Sequence, residues 1–225
     1  MRKALLTAGV ALALLGGGAH ATVFTNHRID KAGDFLAGIP EADRAANGDL
    51  DFTDMSVSFD DATGVFDVTV TLADDINTTQ AGAYVIGIDT GKGAHGPFGG
   101  VGEPNVLFDQ ALTLQKDGTG TLSLIDADGK AAGSKGLNAV MGPQGFSVEI
   151  KLADLTPTGL LAPQDFGFNA WSKKGSVLAD FAPNNRLLSA AVPEPATWAM
   201  LVGGFAVIGG SLRRRRASNA RLLTV

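Results

Sequence analysis

Apolar and polar positions alternate along the middle of the chain, most regularly between residues 50 and 155. Met55, Val57 and Phe59 are separated by Ser56, Ser58 and Asp60. A period of two puts one set of side chains on a single face, which predicts a half-buried β-strand. The turn-forming stretch Asp60-Asp61-Ala62-Thr63-Gly64 follows. Phe66, Val68, Val70 and Leu72 then alternate with Asp67, Thr69 and Thr71, so the two runs predict a hairpin. Further strands are predicted at residues 83–88, at 106–115 with 121–125, from 146 to near Asp154-Leu155, and at 166–171 with 177–181. No helix-period run exceeds two turns between residues 50 and 190. Many short strands with regularly spaced turns predict an all-β domain over residues 51–190, an antiparallel β-sandwich of jelly-roll or Ig-like type. Residues 22–50 lack this clarity and read as an N-terminal arm or early edge strand.

Both ends of the chain break the pattern. Met1-Arg2-Lys3 is a basic start, residues 4–15 are an apolar run, and Gly16, Gly17 and Gly18 end it. Ala19 and Ala21 flank His20 as small-x-small, the pattern of a signal-peptide cleavage site, so residues 1–21 read as a signal peptide and the mature chain as starting at Thr22.

At the other end, Pro193-Glu194-Pro195 imposes an extended backbone, because the prolines fix φ and withhold N–H donors. No residue from 196 to 212 is charged. As a helix this run is roughly 25 Å long, close to the hydrocarbon core of a bilayer at about 30 Å. Trp198 stands where an interfacial aromatic belongs, and Arg213, Arg214, Arg215 and Arg216 read as a cytoplasmic stop that leaves 217–225 as a short cytoplasmic tail. A box, an apolar span and a basic cluster in this order, with Trp198-Ala199 after the box, resemble the PEP-CTERM sorting signal in its PEPxxWA variant. The resemblance covers roughly residues 192–216, within a sorting and anchor segment read as 191–216. It implies a bacterium with an outer membrane that makes exopolysaccharide. It also implies an exosortase and the inner membrane as partners, export with anchoring at first, and then a periplasmic, outer-surface or matrix location. An exopolysaccharide or biofilm association follows from the same resemblance. Weaker likenesses, such as Tyr84-Val85-Ile86-Gly87-Ile88-Asp89 and Ala179-Asp180-Phe181-Ala182-Pro183, are similar to carbohydrate-binding-module and DOMON-like sandwiches.

Charge narrows the partners. Residues 22–192 hold 11 basic and 22 acidic side chains, a net charge of −11 against −5 for the whole chain. Nucleic acid is therefore excluded as an expected partner. The chain contains no cysteine, so neither disulfides nor thiolate chemistry contribute.

Catalysis has little to draw on. After loss of the signal, His27 and His95 are the only histidines, and no motif brings either to a nucleophile. The expectation is a protein that is not an enzyme and carries no cofactor. Asp126-Ala127-Asp128-Gly129 offers clustered carboxylates and a turn glycine, as a calcium loop does, but lacks a distant bidentate Glu. Asp126 and Asp128 are thus candidates for weak calcium, with ordinary hairpin chemistry the preferred reading. Trp171 and Tyr84 are candidates for a sugar-stacking platform, and a tryptophan packed at an inter-sheet edge is the competing reading. Asp180 is read as structural, closing the turn at Pro183-Asn184-Asn185. Two classes of function remain: a structural surface or matrix protein, and a carbohydrate- or calcium-binding module.

Overall fold

The computed structural model describes residues 22–77, 81–91, 96–126, 128–191 and 204–205. Its strands are β1 Val23–Ile29, β2 Phe52–Asp60, β3 Val65–Leu72, β4 Ala83–Asp89, β5 Gln110–Gln115, β6 Thr119–Ile125, β7 Ala131–Asn138, β8 Val140–Gly142, β9 Gly145–Lys151, β10 Gly167–Lys174 and β11 Val177–Ala182. They form a five-stranded sheet ordered β1-β2-β3-β9-β8 and a six-stranded sheet ordered β11-β10-β4-β5-β6-β7. Every pairing between these strands is antiparallel. The β-sandwich expected from the alternation is what the chain forms.

The alternating residues build the layer between the sheets. Met55, Val57 and Phe59 of β2, Phe66, Val68 and Val70 of β3, and Phe146, Val148 and Ile150 of β9 all face inward. Tyr84, Ile86 and Ile88 of β4 and Phe168 and Ala170 of β10 meet them from the other sheet. In the register Val57 sits opposite Val68 and Val68 opposite Val148, so each pair crosses the sheet on the same face. Gly64 closes the β2–β3 hairpin at φ 65°, a left-handed conformation that strongly favours glycine.

The six-stranded sheet is buried on both faces along β4, β10 and the second half of β11. Its outer face carries Val85, Ala111, Trp171 and Phe181, and the segment between β4 and β5 lays Phe98, Val106 and Phe108 over them. This is why β4 reads as a continuous apolar run rather than an alternating one. It also corrects the expected strand at 106–115: β5 begins only at Gln110, and Val106 and Phe108 belong to the covering segment. Gly87 makes the close packing possible, since a Cβ there would lie 2.6 Å from Cζ3 of Trp171.

Other differences have a common cause. β7 and β8 were not expected, because Ala131-Ala132-Gly133-Ser134-Lys135-Gly136 shows no alternation. They are edge strands held by backbone pairing, with mostly exposed side chains. The stretch 22–50 resolves into the edge strand β1, paired to β2 from Val23↔Asp60 to Ile29↔Asp54, followed by a segment that buries Phe35, Ile39 and Leu50. That segment includes a single helical turn, α1 Glu41–Arg44. The sandwich therefore takes in residues from β1 onward rather than starting at 51.

Candidate functional site

Three carboxylates meet where the β1–β2 connection crosses the edge of the other sheet. Asp30 follows β1 directly, and Gly33 turns the chain at φ 83° to bring Asp34 back beside it. Asp180 comes from β11, whose alternation points Ala182 and Asp180 into the sandwich and Phe181 to the outer face. One oxygen from each of Asp30, Asp34 and Asp180 lies within 4.8 Å of the other two.

The surroundings fix these groups. Asp180 Oδ2 accepts a hydrogen bond from the Phe52 amide at 2.7 Å. Asn184 Nδ2 donates to Asp30 Oδ1 at 3.2 Å and to Asp34 Oδ2 at 3.0 Å. Asp51, just before β2, accepts from the Gly33 amide through Oδ2 at 2.8 Å, which braces the turn joining Asp30 to Asp34. Glu103 accepts from the Asn185 amide. Three more oxygens, Asp30 Oδ2, Asp34 Oδ1 and Asp51 Oδ1, are shut from solvent without a hydrogen-bond partner among the described residues.

Four of these carboxyl groups, Asp30, Asp51, Glu103 and Asp180, titrate above the ordinary carboxylate range. Burial, with the Asp34 charge second, pushes Asp30 up to about 7. Burial pushes Asp180 up to about 8 against the lowering effect of the Phe52 amide, and Asp30 adds to the rise. Asp51 and Glu103 are both raised, chiefly by burial, with Asp34 contributing to each. Arg44 acts on Asp51 in the opposite sense. Its guanidinium is turned toward the carbonyl oxygens of Phe35 and Ile39, and packs over the Phe35 ring. An all-oxygen, acidic, partly dehydrated cluster of this type can hold shared protons or a hard cation.

Sequence reasoning did not find this cluster. Asp180 does not close the turn at Pro183-Asn184-Asn185; its carboxylate reaches Phe52 in the other sheet. The expected calcium pair is also differently employed. Asp126 Oδ1 accepts from the amides of Asp128 at 3.0 Å and Lys130 at 2.8 Å, so it closes the β6–β7 turn. Asp128 is exposed beside it. The sugar platform is not formed. Tyr84 is wholly buried between the sheets, where its hydroxyl donates to the Asp49 carbonyl oxygen at 2.8 Å. Trp171 is 6 % exposed on the opposite face, packed edge-on to Phe98 with ring centroids 5.0 Å apart. The two aromatics face opposite sides of one sheet.

Ala19 and Ala21 lie outside the described residues, as do Pro193, Glu194, Pro195, Trp198, Ala199 and the four arginines from 213 to 216. Among the described residues no helix is long and apolar enough to cross a membrane; of the expected span, only Gly204 and Phe205 are described. Residues 191–216 match the family model for the PEP-CTERM protein-sorting motif. The chain carries a PEP-CTERM tail. No curated protein and no solved structure matches the chain. The PEP-CTERM match coincides with the boundary of the sandwich, since Ala190 is still buried and the Ala191 amide donates to the Gln164 carbonyl oxygen at 2.8 Å. A PEP-CTERM tail implies export and membrane-anchored sorting by an exosortase.

Proposed function

We propose that this chain is a non-enzymatic surface or extracellular-matrix protein whose β-sandwich is delivered and released through its PEP-CTERM tail, in association with exopolysaccharide. The observation that carries the reading is the match at residues 191–216, set directly after the last buried residue of the sandwich. A folded acidic domain leads into a box whose two prolines disfavour helix, so a membrane enzyme can reach the backbone there without unfolding the domain. The signal peptide at 1–21 delivers the domain across the inner membrane, and the basic cluster holds the tail until processing.

A structural role is supported by how the polar chemistry is used. His27 lies on an exposed edge strand with Nδ1 3.5 Å from Asp54 Oδ2, and Asp117 and Asp126 close the turns in which they stand. The net negative exterior suits a hydrated polysaccharide layer and keeps copies apart in solution.

The deciding experiment compares the protein in cells with and without the exosortase. Glu194→Ala combined with Pro195→Ala is expected to leave a longer, membrane-held form, as loss of the exosortase does. Intact-mass analysis that gives one and the same processed species in all strains overturns the sorting role. Release into the medium with no retention in the polysaccharide layer overturns the matrix role alone.

A further inference from the structure

We propose that Asp30, Asp34 and Asp180 bind one calcium ion, which ties the β1–β2 connection to the edge of the six-stranded sheet. Ligand oxygens at about 2.3–2.6 Å from calcium can stand up to about 5 Å apart on opposite sides of the ion. The oxygens of these three carboxylates fall within 4.8 Å of one another, so an ion fits among them without moving a strand.

Unmet bonding capacity is the second, separate observation. Asp51 is 4 % exposed and its Oδ1 has no hydrogen-bond partner among the described residues, although its Oδ2 accepts from Gly33, which lies in the turn joining Asp30 to Asp34. Asp30 Oδ2 and Asp34 Oδ1 are likewise shut from solvent and unpartnered among the described residues. Leaving a buried carboxylate oxygen unsatisfied is costly, and those on Asp30 and Asp34, with Asp51 acting electrostatically on Asp30 and Asp34 on Asp51, call for a shared partner. That partner must be positive, because Glu103 adds a further buried carboxylate to the same field. The donors are all hard oxygens, which favours calcium or magnesium over zinc or copper. Calcium is preferred because magnesium demands ligands at about 2.1 Å in a regular octahedron, whereas these ligands come from a strand and a loop with no such symmetry.

The test uses the full chain, purified in detergent and stripped of metal with chelator. Calcium chloride is titrated at about 0.15 M ionic strength, where diffuse surface binding is screened. The proposal expects one saturable site per chain and a higher thermal midpoint with calcium than with chelator. Asp30→Asn with Asp34→Asn should weaken binding at least about tenfold, since ligand charge count sets calcium affinity. An asparagine oxygen can still accept from Asn184, so this variant should fold, and in chelator its midpoint should equal or exceed that of the unsubstituted chain. Asp34→Asn alone serves if the double variant does not fold, with the same loss expected in smaller measure. Asp126→Asn with Asp128→Asn should bind as the unsubstituted chain does. The proposal is overturned if binding is unsaturable and no midpoint shift appears, which leaves shared protons as the compensation. It is equally overturned if the Asp30/Asp34 variant keeps the site or the Asp126/Asp128 variant loses it. An equal midpoint shift with magnesium at the same concentration overturns the choice of calcium.

Discussion

Asp180 in the six-stranded sheet accepts the amide of Phe52 in the five-stranded sheet at 2.7 Å, a hydrogen bond that crosses between layers packed mainly by apolar contact. It lies next to a second crossing of the same kind, Ser172 Oγ to the Leu50 carbonyl oxygen at 2.5 Å. Ser172 is the register partner of Asp180 across β10 and β11. The end of the β1–β2 connection is thus pinned from the opposite sheet by two polar groups side by side.

Asp180→Ala should therefore destabilise the domain by about 1–3 kcal/mol, because the Phe52 amide is left buried without an acceptor. Asp180→Asn keeps an acceptor and should cost less. Urea unfolding followed by circular dichroism distinguishes them, and equal losses would mean that the hydrogen bond contributes nothing.

Without bound cation, stability should fall as pH rises. Asp30 and Asp180 titrate near 7 and 8 in the folded state, above the ordinary value of 3.8. The folded state then holds more protons than the unfolded chain, so their contribution is complete below about pH 4 and is lost progressively as pH rises toward 8. Thermal midpoints measured in chelator from pH 4 to 8 should decline. With saturating calcium the decline should be much reduced.

Trp171→Ala should destabilise by about 3–5 kcal/mol, the usual effect of emptying a buried aromatic site. A tryptophan displayed for sugar stacking would cost far less. Tyr84→Phe should cost about 1 kcal/mol through loss of the hydrogen bond to Asp49.

Replacing Arg213, Arg214, Arg215 and Arg216 with neutral residues should weaken membrane retention and scramble the orientation of the tail. Fractionation and protease protection identical to the unsubstituted chain would show that these arginines do not act as a stop.

N-terminal sequencing of the exported protein should begin at Thr22. β1 starts one residue later, and the Thr22 nitrogen lies 2.7 Å from Asp61 Oδ1, so a newly formed amino terminus would meet a carboxylate at once. A retained Met1 would exclude cleavage at Ala21.

The sequence alone determined whatever depends on neighbours along the chain. Alternation in 55–59 and 66–72 sets which face is buried, because side chains in a strand repeat every two residues. The PEP-CTERM tail was readable for a similar reason: its box, apolar run and arginines act through composition and order. Tertiary structure decided what depends on residues far apart. Trp171 and Tyr84 look alike as strand aromatics, yet one packs under Phe98 and the other between the sheets, and only the covering segment after β4 makes both faces dry. Asp180 lies 150 residues from Asp30, and nothing local to Ala179-Asp180-Phe181 marks its carboxyl as turned inward. Asp126 and Asp128 are close in sequence and were easy to notice, but short-range carboxylates are usually spent on their own turn. The acidic cluster exists because two sheets close over one another, and sheet closure is a property of the whole chain.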